Sequence, residues 1–185
     1  IEAALLLTNK NIDFYIAGEQ SNPALIEPLR MQIAQEGASD RFHFLGFRSD
    51  LQAVMRACDI LVLSSRNDPF PRSVIEAMAA GCAVVATDSG GAKEAISACN
   101  AGVITQIGAT PIAAALQSLV TDPNRLASLR RNARDRAPTL FGVSQHVEAM
   151  TQILVQAAAS IQGATEQAPS PHPSHRRPQR GGRTP

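Results

Sequence analysis

Five short apolar runs, alternating with helical segments, constrain the fold more than any other feature of this sequence. The runs are almost continuously apolar, and turn-forming residues such as Gly18 and Gly46 end several of them. Strands of this kind are typical of a parallel sheet that helices cover on both faces. The sequence therefore predicts an α/β fold with a doubly wound, Rossmann-like parallel sheet and C-terminal helices. The predicted strands span residues 13–17, 41–45, 60–64, 83–87 and 102–105.

Helical patterns fill the second half of the chain up to about residue 160. The pair Asp122-Pro123 is typical of a helix start, and Pro138 is expected to end that helix. A last amphipathic helix is predicted from Val143 to about Ser160. Beyond it, Pro, Ser, Gln, Gly and Arg dominate, a composition that buries too little apolar surface to fold. We therefore predict a folded domain over residues 1–161 and a disordered tail over residues 162–185.

The composition fits one ordinary domain and argues against several classes of function. Of the 185 residues, 44% are hydrophobic and 18% are charged, which allows a buried core. The chain has one Tyr and no Trp, and its body carries no excess of positive charge, so no nucleic acid is expected as a partner. Because Cys58, Cys82 and Cys99 lack metal-ligand spacing, we expect small buried hydrophobes and no metal.

Two further features concern location and completeness. No apolar run approaches transmembrane length and no signal peptide is visible. Scattered cysteines fit a reducing compartment, so a cytoplasmic location is predicted. The chain opens at Ile1 on what resembles the middle of a helix, and it is expected to be a piece of a longer protein.

The loop and helix after the third predicted strand carry two carboxylates, Asp68 and Glu76, with seven residues between them. Pro71 suits the first helical position, so the amides of Arg72 and Ser73 are expected to point out of the helix start and favour an anion. The glutamate lies about one turn inside the helix and can accept two hydrogen bonds from a ribose diol. As an isolated pair, the two acids are more simply explained as a turn residue and a helix-surface residue.

The ends of the predicted strands bring four candidate binding loops to one edge of the sheet. In open parallel sheets, ligands bind outside the carboxyl ends of the strands. Gly18, Gly46, the loop with Asp68 and residues 88–91 all follow strands at that edge. We therefore expect these loops to surround one ligand site.

Several segments occur in the order in which one enzyme family has them. They are FHFLGF at 42–47, ACDILVLSS at 57–65, an E-x7-E-like block at 68–76, GCAVVATDSGGAKE at 81–94 and GVI at 102–104. In combination they resemble the retaining family-4 glycosyltransferases of the GT-B fold, over residues 1 to about 160. The resemblance implies the C-terminal, nucleotide-sugar-binding half of such an enzyme.

By that resemblance, the donor substrate is a nucleoside-diphosphate sugar, and neither a metal nor another cofactor is required. Glu76 matches the family's second glutamate, which binds the donor ribose. Asp68 replaces the first glutamate and is expected to be the catalytic carboxylate that contacts the donor sugar. The other implied substrate contacts are Phe70, Pro71, Arg72 and Ser73 along the sugar and phosphates, Gly46, Phe47 and Arg48 at the base, and Gly18 on the adjacent loop.

The sequence departs from the family in three respects. Asp68 is one methylene shorter than glutamate, and Pro71, often Gly in the family, removes a backbone donor. The family's first strand, which ends in Gly-Arg and is followed by a Lys, has no counterpart before Ile1, and the preceding acceptor domain has none either. The sheet is therefore expected to lack its first strand, so that the strand at 13–17 has no neighbour beside the one at 60–64. We expect the chain by itself to be weakly stable and inactive.

Three functions remain open from the sequence. The leading one is a donor domain whose parent protein transfers a sugar to an unknown acceptor with retention, partnered by the acceptor domain of the same protein. Nucleotide-sugar 2-epimerases share the two-domain architecture, although they need a different acid/base set. A non-catalytic nucleotide-binding fragment fits the missing basic residues. Peripheral membrane contact through the parent protein is a further expectation.

Overall fold

The computed structural model describes residues 1–9, 11–19 and 22–166, with side chains described up to residue 160. This part of the chain contains eight α-helices and five β-strands, which alternate up to the fifth strand and are followed by three consecutive helices. The strand bounds agree closely with the predicted ones. The elements in order are α1 (Glu2–Leu5), β1 (Phe14–Ala17), α2 (Pro23–Gln35), a 3-10 turn (Ser39–Arg41), β2 (Phe42–Gly46), α3 (Leu51–Ala57), β3 (Ile60–Leu63), α4 (Arg72–Ala80), β4 (Ala83–Thr87), α5 (Ala92–Cys99), β5 (Gly102–Thr105), α6 (Ala109–Val120), α7 (Pro123–Phe141) and α8 (Val143–Glu166).

The strand pairs of the described residues are all parallel, as predicted. In one pair β1 lies beside β2, with Phe14 opposite Phe42. In the larger sheet β4 lies between β3 and β5, and its Val85 stands opposite Val62 and Val103. The strands thus form two sheets, ordered β1–β2 and β3–β4–β5, instead of one continuous sheet. No ladder joins β1 to β3 in the part of the chain described, which agrees with the expectation that β1 lacks a neighbour there.

Strand β4 lies at the centre of the core. All five of its residues are buried, and the side chains of the first four alternate between two hydrophobic clusters. Val84 and Ala86 pack with residues of α4, α5 and α7. Ala83 and Val85 pack on the opposite face with residues of α6. Because both faces are covered, the strand needs no polar alternation, and its sequence is a continuous apolar run.

Helix α7 is longer than predicted, since it continues through Pro138 to Phe141. A proline inside a helix removes one backbone hydrogen bond and crowds the preceding turn. Here Ala133 and Ala137 are buried in the cluster on β4, and Phe141 packs against the same cluster. The prediction that Pro138 ends the helix is therefore wrong, because packing on both sides of the proline stabilises the helix.

Residues 1–142 form one compact unit, and the described residues from Val143 onwards belong to a second. The second unit contains α8, which begins at Val143 as predicted but continues to Glu166. Residues 162–166, which were predicted to begin a disordered tail, therefore continue the helix. The Ala and Gln residues of this segment favour that continuation. The rest of that tail, residues 167–185, lies outside the described residues. Among the described helices, none combines the length and apolarity that crossing a bilayer needs.

The cysteines behave as the sequence predicts. Cys82 and Cys99 are buried and Cys58 is half-buried, and all three are free thiols. The Sγ of Cys82 donates a hydrogen bond to the carbonyl of Met55 at 2.9 Å. Burial raises the pKa of the Cys82 thiol from 9.0 to about 11, and burial raises the pKa of the other two thiols as well.

We expect Cys82 to resist alkylation in the folded protein. The thiolate is the reactive form, and at pH 8–9 the buried thiol stays protonated. Since its pKa is higher in the folded than in the unfolded state, the free energy of unfolding should fall as the pH rises from 9.0 towards about 11. Mass spectrometry after iodoacetamide treatment, with and without urea, measures the labelling. Equal labelling rates in the two conditions would contradict the burial.

Candidate functional site

The loop after β3 leads through two prolines into helix α4. Pro71 has φ −71° and ψ 112° and is the N-cap residue, so the helix begins at Arg72, one residue later than expected. The amide of Val74 donates to the carbonyl of Pro71 at 3.2 Å. Helix geometry leaves the amides of Arg72 and Ser73 without intrahelical acceptors, so they are available to an acceptor outside the helix.

The same loop is joined to the Gly-Gly turn that follows β4. The amide of Asp68 donates to the carbonyl of Ser89 at 3.1 Å, and the amide of Gly91 donates to the carbonyl of Pro69 at 2.9 Å. Asp68 and Gly90 form a parallel bridge. The acid-bearing loop, residues 68–71, is therefore fastened along its first half to a second loop at the carboxyl edge of the sheet.

Thr87, the last residue of β4, contacts the first residues of both loops through its hydroxyl. It was not identified from the sequence. Its hydroxyl is fully buried and donates to the carbonyl of Ser65 at the end of β3. It also lies 3.2 Å from the hydroxyl of Ser89. The signal in the sequence was a hydroxyl residue closing an otherwise apolar strand, immediately before a turn. Such a buried hydroxyl needs partners, and the roots of the two loops supply them.

Glu76 lies one turn inside α4, on the exposed side of the helix start. Its side chain is 39% exposed, and the guanidinium of Arg72, itself 89% exposed, donates to Oε1 at 3.4 Å. Both charged groups are therefore accessible to a ligand. An exposed pair of this length is weak, so a ligand hydroxyl can compete for the carboxylate.

The second pair of predicted loops meets at the end of β1 and β2. The amide of Gly18 donates to the carbonyl of Gly46 at 2.9 Å. Gly46 has φ +65°, a conformation that favours glycine and turns the chain sharply after the strand. Phe47 follows the turn and is 79% exposed. An aromatic ring left this open at the edge of a sheet is available for contact with a planar group.

Arg48 is held by Asp50 in a two-pronged ion pair. Its Nε and Nη2 donate to the two carboxylate oxygens at 2.7 and 2.6 Å. The hydrogen bond to Arg48 lowers the pKa of Asp50, and the same bond raises the pKa of Arg48. Asp50 is the N-cap residue of α3, but its carboxylate makes no cap hydrogen bond to that helix and is engaged by the arginine instead. The guanidinium is thus oriented by its partner, beside Phe47.

Phe70 adds a contact that the sequence did not predict. Its ring lies edge-on to the ring of Phe141 at the end of α7, with the centroids 6.2 Å apart. Across the Gly-Gly turn, Lys93 donates to the carboxylate of Asp88 at 2.9 Å. The hydrogen bonds join the predicted loops pairwise, Gly18 with Gly46 and residues 68–69 with 89–91.

The chemistry of this edge is that of polar recognition. The loops after β3 and β4 offer carboxylates that accept hydrogen bonds from hydroxyl groups and amides at a helix start that favour an anion, and the loop after β2, in the other sheet, offers an exposed aromatic ring. Within the described residues, no group of three or more His, Cys, Asp or Glu side chains is placed to hold a metal ion.

Solved structures with a similar fold are glycosyltransferases. A crystal structure of Anabaena HepE in complex with UDP is 28% identical, with a TM-score of 0.77, over 84% of this chain and 43% of that one. The C-terminal domain of the group 1 glycosyltransferase LpcC from Francisella tularensis is 26% identical with a TM-score of 0.71, over 77% of both chains. The predicted α/β fold class, that of GT-B glycosyltransferases, is confirmed by these neighbours.

Curated relatives are glycosyltransferases too. An N,N'-diacetylbacillosaminyl-diphospho-undecaprenol alpha-1,3-N-acetylgalactosaminyltransferase of Campylobacter jejuni is 33% identical over 74% of this chain. The lipopolysaccharide core biosynthesis mannosyltransferase LpsB of Rhizobium meliloti is 29% identical over 81%. The chain spans 35% and 44% of the length of these two relatives. The family described as glycosyl transferases group 1 matches residues 1–136, and this chain belongs to that family.

Proposed function

We propose that this chain is the donor-binding part of a retaining, family-4 glycosyltransferase, which takes a sugar from a nucleoside-diphosphate sugar. The observation that carries the proposal is the junction of the acid-bearing loop with the Gly-Gly turn, directly beside the start of α4. It gathers a carboxylate, free amides and Glu76 at the carboxyl edge of a parallel sheet, where such folds bind nucleotides.

The proposed contacts follow the order of groups in the donor. Glu76 accepts hydrogen bonds from the ribose hydroxyls, and its exposure supports this role. The amides of Arg72 and Ser73 receive the diphosphate at the helix start. Asp68 contacts the hydroxyls of the donor sugar. Phe47 packs on the base. The main chain of Phe70 and Pro71 lines the sugar and phosphates, and Gly18, Gly46 and Arg48 shape the base end.

The proposed mechanism is electrostatic. As the bond between sugar and diphosphate breaks, negative charge grows on the leaving phosphate oxygens. Amides and the dipole of α4 meet this charge without reorganising, which lowers the barrier. Asp68 is the carboxylate that holds the sugar in place during transfer, so we assign it as the catalytic residue of the loop.

The relatives support a nucleotide-sugar donor and separate regions for donor and acceptor. HepE has been crystallised with UDP-glucose, and the two curated relatives transfer N-acetylgalactosamine and mannose according to their names. Since the chain spans less than half of each, we propose that a further domain of the same polypeptide binds the acceptor, and that basic residues of the family's first strand, for which this chain has no counterpart, hold the diphosphate.

Isothermal calorimetry tests the proposal with UDP, GDP and ADP, and with UDP-glucose, UDP-N-acetylgalactosamine and GDP-mannose. We expect one nucleoside diphosphate to bind with a dissociation constant of about 0.1–1 mM, corresponding to about 4–5.5 kcal/mol. EDTA should leave this affinity unchanged, because amides take the phosphates. Inorganic pyrophosphate, which lacks ribose and base, is the control and should bind more weakly. If no nucleotide binds more tightly than pyrophosphate, the donor-domain proposal is wrong.

A further inference from the structure

The acid-bearing loop contacts an aromatic side chain, Phe141, that is distant from it in sequence. Phe70 stands in its middle, 45% exposed, and its ring meets Phe141 at a centroid distance of 6.2 Å and an interplanar angle of 61°. Edge-to-face pairs of this geometry are favourable beyond the area that they bury. The contact joins the loop to the last residue of α7.

Phe141 is itself held by the core. It packs against the hydrophobic cluster that contains Val74 and Met78 of α4 and Ala137 of α7. These three side chains are at most 1% exposed. Because one cluster fixes both α4 and Phe141, the ring of Phe141 keeps a constant position relative to the helix start.

The loop is thus fixed at three points. Asp68 and Pro69 are bonded to the Gly-Gly turn, and Pro71 is buried as the N-cap of α4. Phe70 lies between these two anchors, and the contact of its ring with Phe141 fixes the direction in which the side chain leaves the backbone. A change at Phe70 is transmitted through Pro69, whose backbone is stiff, to Asp68.

We propose that Phe141 is a positioning residue for the sugar end of the donor site. Through Phe70 it sets the loop that carries Asp68, and it thereby favours a sugar nucleotide over the bare nucleotide. The inference rests on the proposed function and names a residue that acts on one part of that site. Glu76 and the helix-start amides are carried by α4, which the fully buried side chains of Val74 and Met78 anchor in the core, whereas Phe141 packs only at the margin of that cluster.

The experiment compares two affinities in each variant: that of the nucleoside diphosphate and that of its sugar nucleotide. In Phe141→Leu, which keeps an apolar side chain, we expect the sugar nucleotide to bind about 3–10-fold more weakly, as loss of an aromatic pair predicts, with the nucleoside diphosphate unchanged. Phe141→Tyr retains the ring and should restore the wild-type ratio. Leu140→Ala, on the neighbouring exposed residue, is the matched control and should change neither affinity.

A double-mutant cycle with Phe70→Leu separates positioning from general destabilisation. If Phe141 acts through Phe70, the double variant should lose no more of the affinity ratio than either single variant. The inference would be overturned if Phe141→Leu left the ratio of the two affinities unchanged, or if the losses of the two single variants added up in the double variant. Neither result would affect the proposal that the chain binds a nucleotide. A wild-type protein that binds no nucleotide would overturn the proposed function and this inference with it.

Discussion

Replacing Gly90 with alanine should weaken sugar-nucleotide binding about tenfold or more, the loss expected when hydrogen bonds to a charged group are broken. Gly90 has φ +140°, and a Cβ there would lie 2.0 Å from the carbonyl oxygen of Asp68 and 2.9 Å from its carbon. These are backbone atoms, so the acid-bearing loop has to move away. The strained backbone and the broken junction should together lower the free energy of unfolding by about 2–4 kcal/mol.

Gly108→Ala is the matched control for this substitution. Gly108 has nearly the same φ, +145°, but a Cβ there meets only the ring of Pro111, at 3.4 Å. It should therefore show the cost of the backbone conformation alone, about 1–3 kcal/mol, with unchanged ligand binding. Urea denaturation gives the stabilities and calorimetry with the sugar nucleotide gives the affinities. Wild-type affinity in Gly90→Ala would show that the junction does not shape the site.

Gly91→Ala tests the same junction from the next residue. Its Cβ would lie 2.2 Å from the carbonyl oxygen of Pro69 and 2.6 Å from the ring of Phe70. Because Gly91 does not have a left-handed backbone, this variant introduces the clash without the strain. Loss of sugar-nucleotide affinity in both glycine variants, and not in Gly108→Ala, would identify the position of the loop as the cause.

The strands and the loops that follow them could be predicted because the signals are local. Continuous apolar runs mark buried parallel strands, and Gly18, Gly46 and Gly90 mark the turns after them. The acids could be assigned to one edge from the topology alone. The way in which the loops join in pairs could not be predicted. It depends on hydrogen bonds between residues that are distant in sequence, such as the bond from the amide of Asp68 to the carbonyl of Ser89, and no local pattern specifies them.

The structure departs from the local sequence signals at three places. Pro138 is a strong local stop signal, yet α7 passes through it because Ala137 and Phe141 pack on the core. Asp50 is a good capping residue, yet Arg48 engages its carboxylate. Phe141 has an ordinary sequence context, and its contact with Phe70 appears only in three dimensions. For Pro138 and Phe141 a contact between residues distant in sequence decides the structure, whereas Arg48 and Asp50 are only two residues apart and pair within their own loop.

Glu76→Ala should reduce the affinity for the nucleoside diphosphate by about 10–100-fold. A hydrogen bond to a charged group contributes about 1.5–3 kcal/mol, and the carboxylate is proposed to accept bonds from the ribose hydroxyls. Pyrophosphate has no ribose, so its affinity should stay the same or rise slightly, because Arg72 loses its 3.4 Å partner. Folding should be little affected, since the side chain is 39% exposed and its ion pair is weak.

Glu27→Ala provides the matched control, since Glu27 is exposed and, like Glu76, is the fifth residue of its helix. It should leave both affinities at their wild-type values. Calorimetry with the nucleoside diphosphate, its 2′-deoxy analogue and pyrophosphate then isolates the ribose: the deoxy analogue should bind the wild type more weakly but lose less on Glu76→Ala. Equal losses for pyrophosphate and nucleotide would indicate a general effect on the start of α4. An unchanged nucleotide affinity would show that the ribose is bound elsewhere, because an accessible carboxylate that accepts its hydroxyls cannot be removed without cost.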